Sequence, residues 1–227
     1  MRARTVAIIQ ARMGSTRLPG KVLMKLGGRS LLAYIAARLE SAASLDEIVV
    51  ATTTHLRDDS IVEEAASHGL NCFRGSEADV LRRYRDAATF YKAEIVVRVT
   101  ADNPFSDPMS IDRVVARIKE GYDYAIEMNL PVGTTGEALT FQTLDFIDTT
   151  ATTARWREHV TLYAKENPHM LRCSFEDAPS DVSRPDLSYT IDSLDEYLKL
   201  KDLCERIPNH NFPLKELIAL ADKPAVV

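Results

Sequence analysis

The segment TVAIIQARMGSTRLPGKVL, residues 5–23, decides the fold. It opens with VAII (residues 6–9), a continuous apolar run of the kind that forms a buried strand. The twelve residues that follow Gln10 hold two arginines, a lysine, two glycines, a proline and two hydroxyl side chains. We call these residues, 11–22, the cationic loop. A buried strand that runs directly into such a loop predicts an α/β protein that binds an anion at the end of the strand.

Short apolar runs alternate with helix-like segments through the first half of the chain and again near its end, which predicts an α/β fold with a doubly wound, mostly parallel sheet. The predicted strands are 5–10, 47–51, 71–74, 94–99, 123–126 and 187–191. The predicted helices are 30–41, 57–68, 78–92, 108–120, about 154–166, and 193–207, with Ser30 and Asp107 as N-caps. We expect a single domain over residues 1–227, with a small insertion or subdomain at about 127–180 that completes a pocket.

Composition narrows the class of protein. The chain has 227 residues, a net charge of −5, 45% hydrophobic and 27% charged residues, which is typical of an ordinary globular protein. The negative net charge argues against nucleic-acid binding. No stretch reaches the roughly 20 apolar residues of a membrane span, and three widely spaced cysteines indicate a reducing compartment. We therefore expect a cytoplasmic protein without membrane or nucleic-acid partners.

The cationic loop has the chemistry of a phosphate site. Ligands of open α/β sheets bind outside the carboxyl ends of the strands, where this loop begins. Gly14 and Gly20 allow close approach of the backbone, while Arg12, Arg17 and Lys21 supply positive charge. The spacing is neither that of a P-loop, which needs G-x-x-x-x-G-K-[ST], nor that of a dinucleotide fingerprint. The alternative is a loop that is merely flexible and solvated.

Two aspartates follow predicted strands at the same edge of the sheet. Asp102 lies just beyond strand 94–99, and Asp192 just beyond strand 187–191. Mg²⁺ in proteins commonly takes one or two carboxylates together with phosphate oxygens of a ligand and water. The sequence therefore predicts a magnesium site at Asp102 and Asp192. In the alternative interpretation, each aspartate only caps a turn or helix.

The loop and its surroundings resemble the cytidylyltransferases that make CMP-activated acidic sugars, of the acylneuraminate and deoxyoctulosonate type. IIQARMGSTRLPGKVL is similar to the signature loop of the branch that contains spore-coat polysaccharide biosynthesis proteins. In order along the chain, IVVATT (48–53), FRGSEADVLRRY (73–84), VVRVTADNPFSDP (96–108), REHVTLYAKENP (157–168) and YTIDSLDEYLKL (189–200) are similar to later motifs of that branch. The resemblance covers nearly the whole chain.

The resemblance implies a Rossmann-like nucleotide-diphospho-sugar transferase fold and a homodimer. It implies transfer of CMP from CTP to an acidic sugar, with Mg²⁺ as cofactor, in the synthesis of a surface polysaccharide or glycan. Catalysis would fall to Arg12, Arg17, Lys21 and Asp102, metal binding to Asp102 and Asp192, and acceptor binding to Glu137, Glu158 and His159. The implied nucleotide-binding residues are Gln10, Ala11, Arg12, Gly14, Ser15, Arg17, Lys21, Arg74, Arg83 and Thr100.

Some positions have a second interpretation or depart from the resembled pattern. Arg83 is equally compatible with a solvated helix face, and Glu158 and His159 with a helix start and a packed histidine. Thr135 and Ser188 stand where relatives often carry aspartate and arginine, which leaves the acceptor and the second metal site open. Arg98, inside an apolar strand, is expected to pair with a carboxylate.

Two other functions compete with CMP transfer. A glycosyltransferase on a similar scaffold usually needs a D-x-D motif at a strand end, and this sequence contains none. A non-catalytic nucleotide-binding relative is compatible with the departures at Thr135 and Ser188.

Overall fold

The computed structural model describes residues 3–207 and 209–222, and a mixed sheet of seven strands organises them. The strands, including a small hairpin formed by β2 and β3, are β1 Thr5–Gln10, β2 Lys25–Leu26, β3 Arg29–Ser30, β4 Glu47–Thr53, β5 Asn71–Gly75, β6 Ile95–Thr100, β7 Tyr124–Met128, β8 Glu137–Thr140 and β9 Cys173–Asp177. The order in the large sheet is β5-β4-β1-β6-β8-β7-β9.

All neighbouring strands of the large sheet are parallel except where β8 takes part. Strand β1 lies between β4 and β6, with Gln10 paired to Ala51 on one side and Thr100 on the other. Strand β8 enters between β6 and β7 and is antiparallel to both. The predicted mostly parallel α/β sheet is therefore confirmed.

Helices cover both faces of this sheet. Within the described residues they are α1 Leu31–Leu39, α2 Asp59–Ser67, α3 Val80–Phe90, α4 Pro108–Lys119, α5 Phe141–Thr150, α6 Ala154–Glu158, α7 Leu162–Glu166, α8 Leu194–Glu205 and α9 Leu214–Ala221. Ala7 and Ile9 of β1 join a core with α1, α2, α4, α8 and α9, whereas Val6 and Ile8 join a second core with α3, α5 and α7. Side chains alternate between the faces of a strand, so an unbroken apolar strand supports two helix layers.

Local sequence fixes where several helices begin. The Ser30 hydroxyl accepts from the Ala33 N–H at 3.1 Å, and the Asp107 carboxylate accepts from the Ser110 N–H at 3.0 Å, which confirms both predicted caps. A side-chain acceptor at this position satisfies a backbone donor that the helix leaves free.

The prediction of a strand at 187–191 is wrong. The segment makes one isolated bridge, in which the Val132 N–H donates to Leu187 O at 2.9 Å and the Tyr189 N–H donates to Val132 O at 2.8 Å. The neighbouring Gly133 has φ +90°, so its chain turns away and the ladder cannot continue.

The predicted helix at 154–166 is also wrong as one element, because α6 and α7 are separated at His159, with φ −105° and ψ 69°. There the chain buries Val160 and directs the Thr161 hydroxyl to Glu137. Strands β2, β3, β8 and β9 and helices α5 and α9 were not anticipated from the sequence.

The division into one domain with an insertion at about 127–180 stays a prediction, although β8 and β9 of that region join the large sheet. Within residues 3–207 and 209–222, no helix has the length and apolarity needed to cross a membrane.

Candidate active site

The cationic loop leaves β1 at the carboxyl edge of the sheet and closes on itself. The Gly20 N–H donates to Met13 O at 3.1 Å, and Gly20 adopts φ +72°, a left-handed conformation that glycine tolerates without strain. A short 3₁₀ helix, Lys21–Leu23, follows at once and buries Lys21 to 8% exposure. The lysine is thereby turned inward.

The Lys21 ammonium joins the loop to both predicted metal ligands. It lies 3.2 Å from Asp102 Oδ2 and 3.0 Å from Asp192 Oδ1, and it donates to Ile191 O at 2.6 Å. Arg17 lies 2.8 Å from the other oxygen of Asp192. Cations and carboxylates from three distant parts of the chain thus meet at one point.

Backbone contacts bring the two aspartates together. Asp102 follows β6, where the Ala101 N–H donates to Gln10 O at 3.1 Å, and its own carbonyl accepts from the Ile191 N–H at 2.9 Å. Ser193 and Glu196 form the capping box of α8. The alternative in which Asp192 serves as the helix cap is therefore wrong.

A buried carboxylate that we did not identify from the sequence fixes the base of the cationic loop. Asp58 is fully buried and accepts from the Met13 N–H at 2.8 Å, while the Thr53 N–H and hydroxyl donate to its other oxygen. The only signal in the sequence is an aspartate shortly after β4, which is equally typical of a helix start.

A cavity of about 650 Å³, which we call the main cavity, opens at this edge of the sheet. The site residues predicted from the sequence that line it are Gln10, Ala11, Arg12, Ser15, Arg17, Lys21, Arg83, Thr100, Asp102, Glu158, His159 and Asp192. Arg98, Asn103, Val132 and Thr190 also line it and were not assigned to a site. At its rim Arg12 lies 3.4 Å from Glu158.

Four residues that line the main cavity each have a buried side-chain polar atom without a hydrogen-bond partner among the described residues. The atoms are Gln10 Oε1, Arg83 Nε, Arg98 Nε and Asn103 Oδ1. Buried polar atoms of folded proteins are nearly always paired, so four such residues around one cavity favour a site for a polar ligand.

Arg83 is buried to 1% exposure, so its interpretation as a solvated helix residue is wrong. Burial lowers the pKa of the Arg83 guanidinium, with the nearby positive charge of Arg12 acting in the same direction. Two arginines held close together favour the arrival of an anion.

Two predicted nucleotide ligands, Arg74 and Gly14, do not line the main cavity. Arg74 donates to Thr53 O at 3.0 Å and His55 O at 3.0 Å and pairs with Asp59 at 2.6 Å, so it fastens the β4–α2 connection. Gly14 packs instead against the guanidinium of Arg57, which a Cβ at this position would meet at 2.8 Å.

Glu137, a predicted acceptor ligand, lies on β8 beside the main cavity rather than in its wall. It is 8% exposed, accepts from Lys165 at 2.6 Å, and lies 3.6 Å from Arg98, which confirms the expected pairing of that arginine. Burial acts to raise the pKa of the Glu137 carboxyl, but the charges of Arg98 and Lys165 outweigh it and hold the pKa below its ordinary value.

A parallel-sheet edge that presents cations opposite two carboxylates, around a cavity large enough for a nucleotide, defines an α/β enzyme of the nucleotidyltransferase class. A sequence profile of the cytidylyltransferase family matches residues 6–224, and the chain belongs to that family. It is thus an enzyme of the type that transfers a CMP group from CTP and releases pyrophosphate.

Two full-length similarities support this membership. The spore coat polysaccharide biosynthesis protein SpsF of Bacillus subtilis is 36% identical, over 95% of this chain and 93% of its own. The structure of a cytidylyltransferase from Leptospira borgpetersenii is 30% identical, covers 96% of this chain and 93% of its own, and superposes with a TM-score of 0.90.

More distant solved structures share the fold. CMP:2-keto-3-deoxy-manno-octonic acid synthetase, solved in complex with CTP, is 15% identical with a TM-score of 0.70 over 90% of this chain and 99% of its own. A Mycobacterium tuberculosis protein in complex with manganese is 14% identical with a TM-score of 0.60 over 88% and 98%.

Proposed function

We propose that the protein transfers CMP from CTP to the hydroxyl of an acidic sugar, with release of pyrophosphate, to supply a surface polysaccharide or glycan. The names of two similar proteins, a spore coat polysaccharide biosynthesis protein and a CMP:2-keto-3-deoxy-manno-octonic acid synthetase, support an acidic sugar as the acceptor and polysaccharide synthesis as the pathway class. One observation carries the assignment of the site: the Lys21 ammonium lies within 3.2 Å of both Asp102 and Asp192. This contact unites the two charge types that a metal-bound triphosphate requires.

In the proposed site, the cationic loop binds the triphosphate. Negative charge builds on the departing pyrophosphate, and Arg12, Arg17 and Lys21 are the donors placed to receive it. Gln10, Ala11, Ser15, Arg83 and Thr100 line the remainder of the nucleotide subsite. The reaction needs little covalent help from the protein, because alignment and charge stabilisation account for most of the rate.

We further propose Mg²⁺ as the metal. Within the described residues, no cluster of three or more His, Cys, Asp or Glu side chains could hold an ion alone. Mg²⁺ commonly uses one or two carboxylates and completes its shell with substrate phosphates and water, so Asp102 and Asp192 fit it as a pair that binds together with CTP. The ion would polarise the α-phosphate and the attacking oxygen. Lys21 would then exchange its aspartate contacts for phosphate oxygens.

The acceptor would enter beside Glu158 and His159, which line the main cavity together with the loop. His159 can donate or accept a hydrogen bond from a sugar hydroxyl, and Glu158 can accept one. A homodimer and a cytoplasmic location, implied by the resemblance and by the composition, complete the proposal.

Pyrophosphate release tests the function. We expect turnover with CTP and Mg²⁺ in the presence of at least one acidic sugar, starting with 3-deoxy-manno-octulosonate, and far less with UTP or ATP. Arg17→Ala and Asp102→Ala are expected to lower kcat at least about 100-fold with the fold intact, whereas Arg29→Ala, at an exposed hairpin residue, should match the wild type. Equal rates in all three variants, or CTP binding without turnover for any acceptor, would contradict the proposal.

A further inference from the structure

A second cavity, of about 260 Å³, adjoins the main cavity; we call it the side cavity. Arg98, Thr100, Asn103 and Val132 line both, so the two spaces share a wall. The charged residues that line the side cavity are Arg98, Lys165 and Glu137, two cations and one anion. The side cavity therefore carries a net charge of +1 next to the proposed reaction centre.

Arg98 makes few hydrogen bonds for a side chain that is only 17% exposed. Its Nε has no hydrogen-bond partner among the described residues, and its Nη1 lies 3.6 Å from Glu137, beyond the range of a good hydrogen bond. A guanidinium has five N–H donors in a planar fork that matches the two oxygens of a carboxylate. Arg98 thus keeps donor capacity that matches one planar anion.

Glu137 holds the second cation in place. It accepts from Lys165 at 2.6 Å and from the Thr161 hydroxyl, so a carboxylate on β8 ties α7 to the sheet. The Glu137 carboxylate balances only one of the two positive charges of Arg98 and Lys165, so one positive charge of the side cavity is left without a counter-charge. Thr135 also lines it and is neutral, so no other side chain of its described lining supplies that counter-charge.

We propose that the side cavity binds the carboxylate of the acceptor sugar through Arg98 and Lys165, with Glu137 as a positioning residue. This inference rests on the proposed function and names the group by which the substrate is recognised. Arg98 lines both cavities, so an acceptor anchored there extends past Thr100 and Asn103 toward the main cavity, where its hydroxyl meets the α-phosphate. The single missing counter-charge fits a carboxylate better than a phosphate group, which carries about −1.5 to −2 at neutral pH.

Binding calorimetry tests this inference separately from turnover. Acidic sugars, beginning with 3-deoxy-manno-octulosonate, are titrated into the protein with and without CTP, alongside their carboxamides and a sugar 1-phosphate. We expect the acid to bind at least about 10-fold more tightly than its carboxamide, because charge-assisted hydrogen bonds are lost in the amide. The sugar phosphate should bind no better than the carboxamide.

Two variants and a control locate the effect. Lys165→Met and Arg98→Lys should weaken acid binding about 10- to 100-fold and leave carboxamide binding within about 2-fold. The Kd for CTP should stay within about 2-fold in Lys165→Met, since Lys165 does not line the main cavity. Lys119→Met, at an exposed position on α4, is the matched control and should change nothing. Thermal denaturation verifies folding, and Arg98→Lys serves alone if Lys165→Met is unfolded.

The outcomes separate the two claims. Acid and carboxamide binding equally well, tighter binding of the sugar phosphate, or acid binding that both variants retain would overturn the inference. Binding of CTP with no binding of any acid would also overturn it, while leaving the nucleotide half of the proposed function intact. Absence of CTP binding would count against the proposed function, and the titrations without nucleotide would still decide whether the side cavity holds a carboxylate.

Discussion

Replacing Lys21 with methionine removes one ammonium group while keeping a side chain of similar length. In the wild type this group donates to the buried Ile191 carbonyl at 2.6 Å, a contact worth about 1.5–3 kcal/mol for a charged donor. Asp102 and Asp192 are about one-third exposed, so each ion pair adds only about 0–1 kcal/mol. We expect Lys21→Met to lower the free energy of unfolding by about 2–4 kcal/mol. For a chain of this size, that corresponds to a Tm about 5–15 °C lower.

The same variant should lose about 100- to 1,000-fold in kcat, because a donor placed at developing charge is worth that much in comparable sites. Pyrophosphate release measures kcat, and differential scanning calorimetry measures Tm. Without nucleotide, MgCl₂ should raise the Tm of Lys21→Met more than that of the wild type, since two carboxylates then lack their cation. Lys25→Met, an exposed lysine four residues along, is the control. A kcat within about 3-fold of the wild type would refute a role for Lys21 at the reaction centre.

Three further predictions concern the supports of the site. Asp58→Asn should lower Tm by about 3–10 °C and raise KM for CTP, because the buried carboxylate holds the cationic loop in place. An unchanged KM, measured by pyrophosphate release, would argue against that role. Gly133→Ala should have a lower Tm in calorimetry than Gly28→Ala. Both glycines have positive φ, but only at Gly133 would an added Cβ meet the Tyr189 backbone, at 3.1 Å. Equal Tm values for the two variants would contradict a role for this contact. The pKa of the Glu137 carboxyl is lowered in the folded state from its ordinary value of about 4.5, so the carboxylate stabilises the fold fully above that pH and loses this contribution as the pH falls below it. Glu137→Gln should therefore weaken the fall in the free energy of unfolding at acid pH. Wild-type and variant curves that stay parallel in pH-dependent denaturation would show that Glu137 does not contribute to it.

The half of the sheet around β1 could be predicted because its sequence signals are local. Apolar runs, helix periods and caps at Ser30 and Asp107 each follow from neighbouring residues, and the rule for ligand position then places the cationic loop opposite Asp102. Asp192 was placed correctly at this edge although its predicted strand was wrong, since one bridge to Val132 suffices to hold the segment there.

What could not be predicted depends on contacts between distant residues. Strand β8 has only four residues and lies between β6 and β7, so its position follows from antiparallel pairing that no local pattern reveals. For the same reason, the sequence could not predict that Arg83 is buried or that Arg74 bonds to the β4–α2 connection. A helical period shows that two residues share a face, but not what that face meets.

The antiparallel entry of β8 has a consequence for how such enzymes diversify. The cationic loop follows β1, which lies among the parallel strands β5, β4, β1 and β6. Thr135, Glu137 and Lys165 of the side cavity all come from one later stretch, residues 131–165. Exchange of that stretch between homologues keeps the sequence of the parallel strands and of the loop, provided that two contacts with them are preserved: Glu158 with Arg12 of the cationic loop and Glu137 with Arg98 of β6. We therefore expect chimeras that keep these two contacts to change the preference for the acceptor while retaining the proposed CTP site.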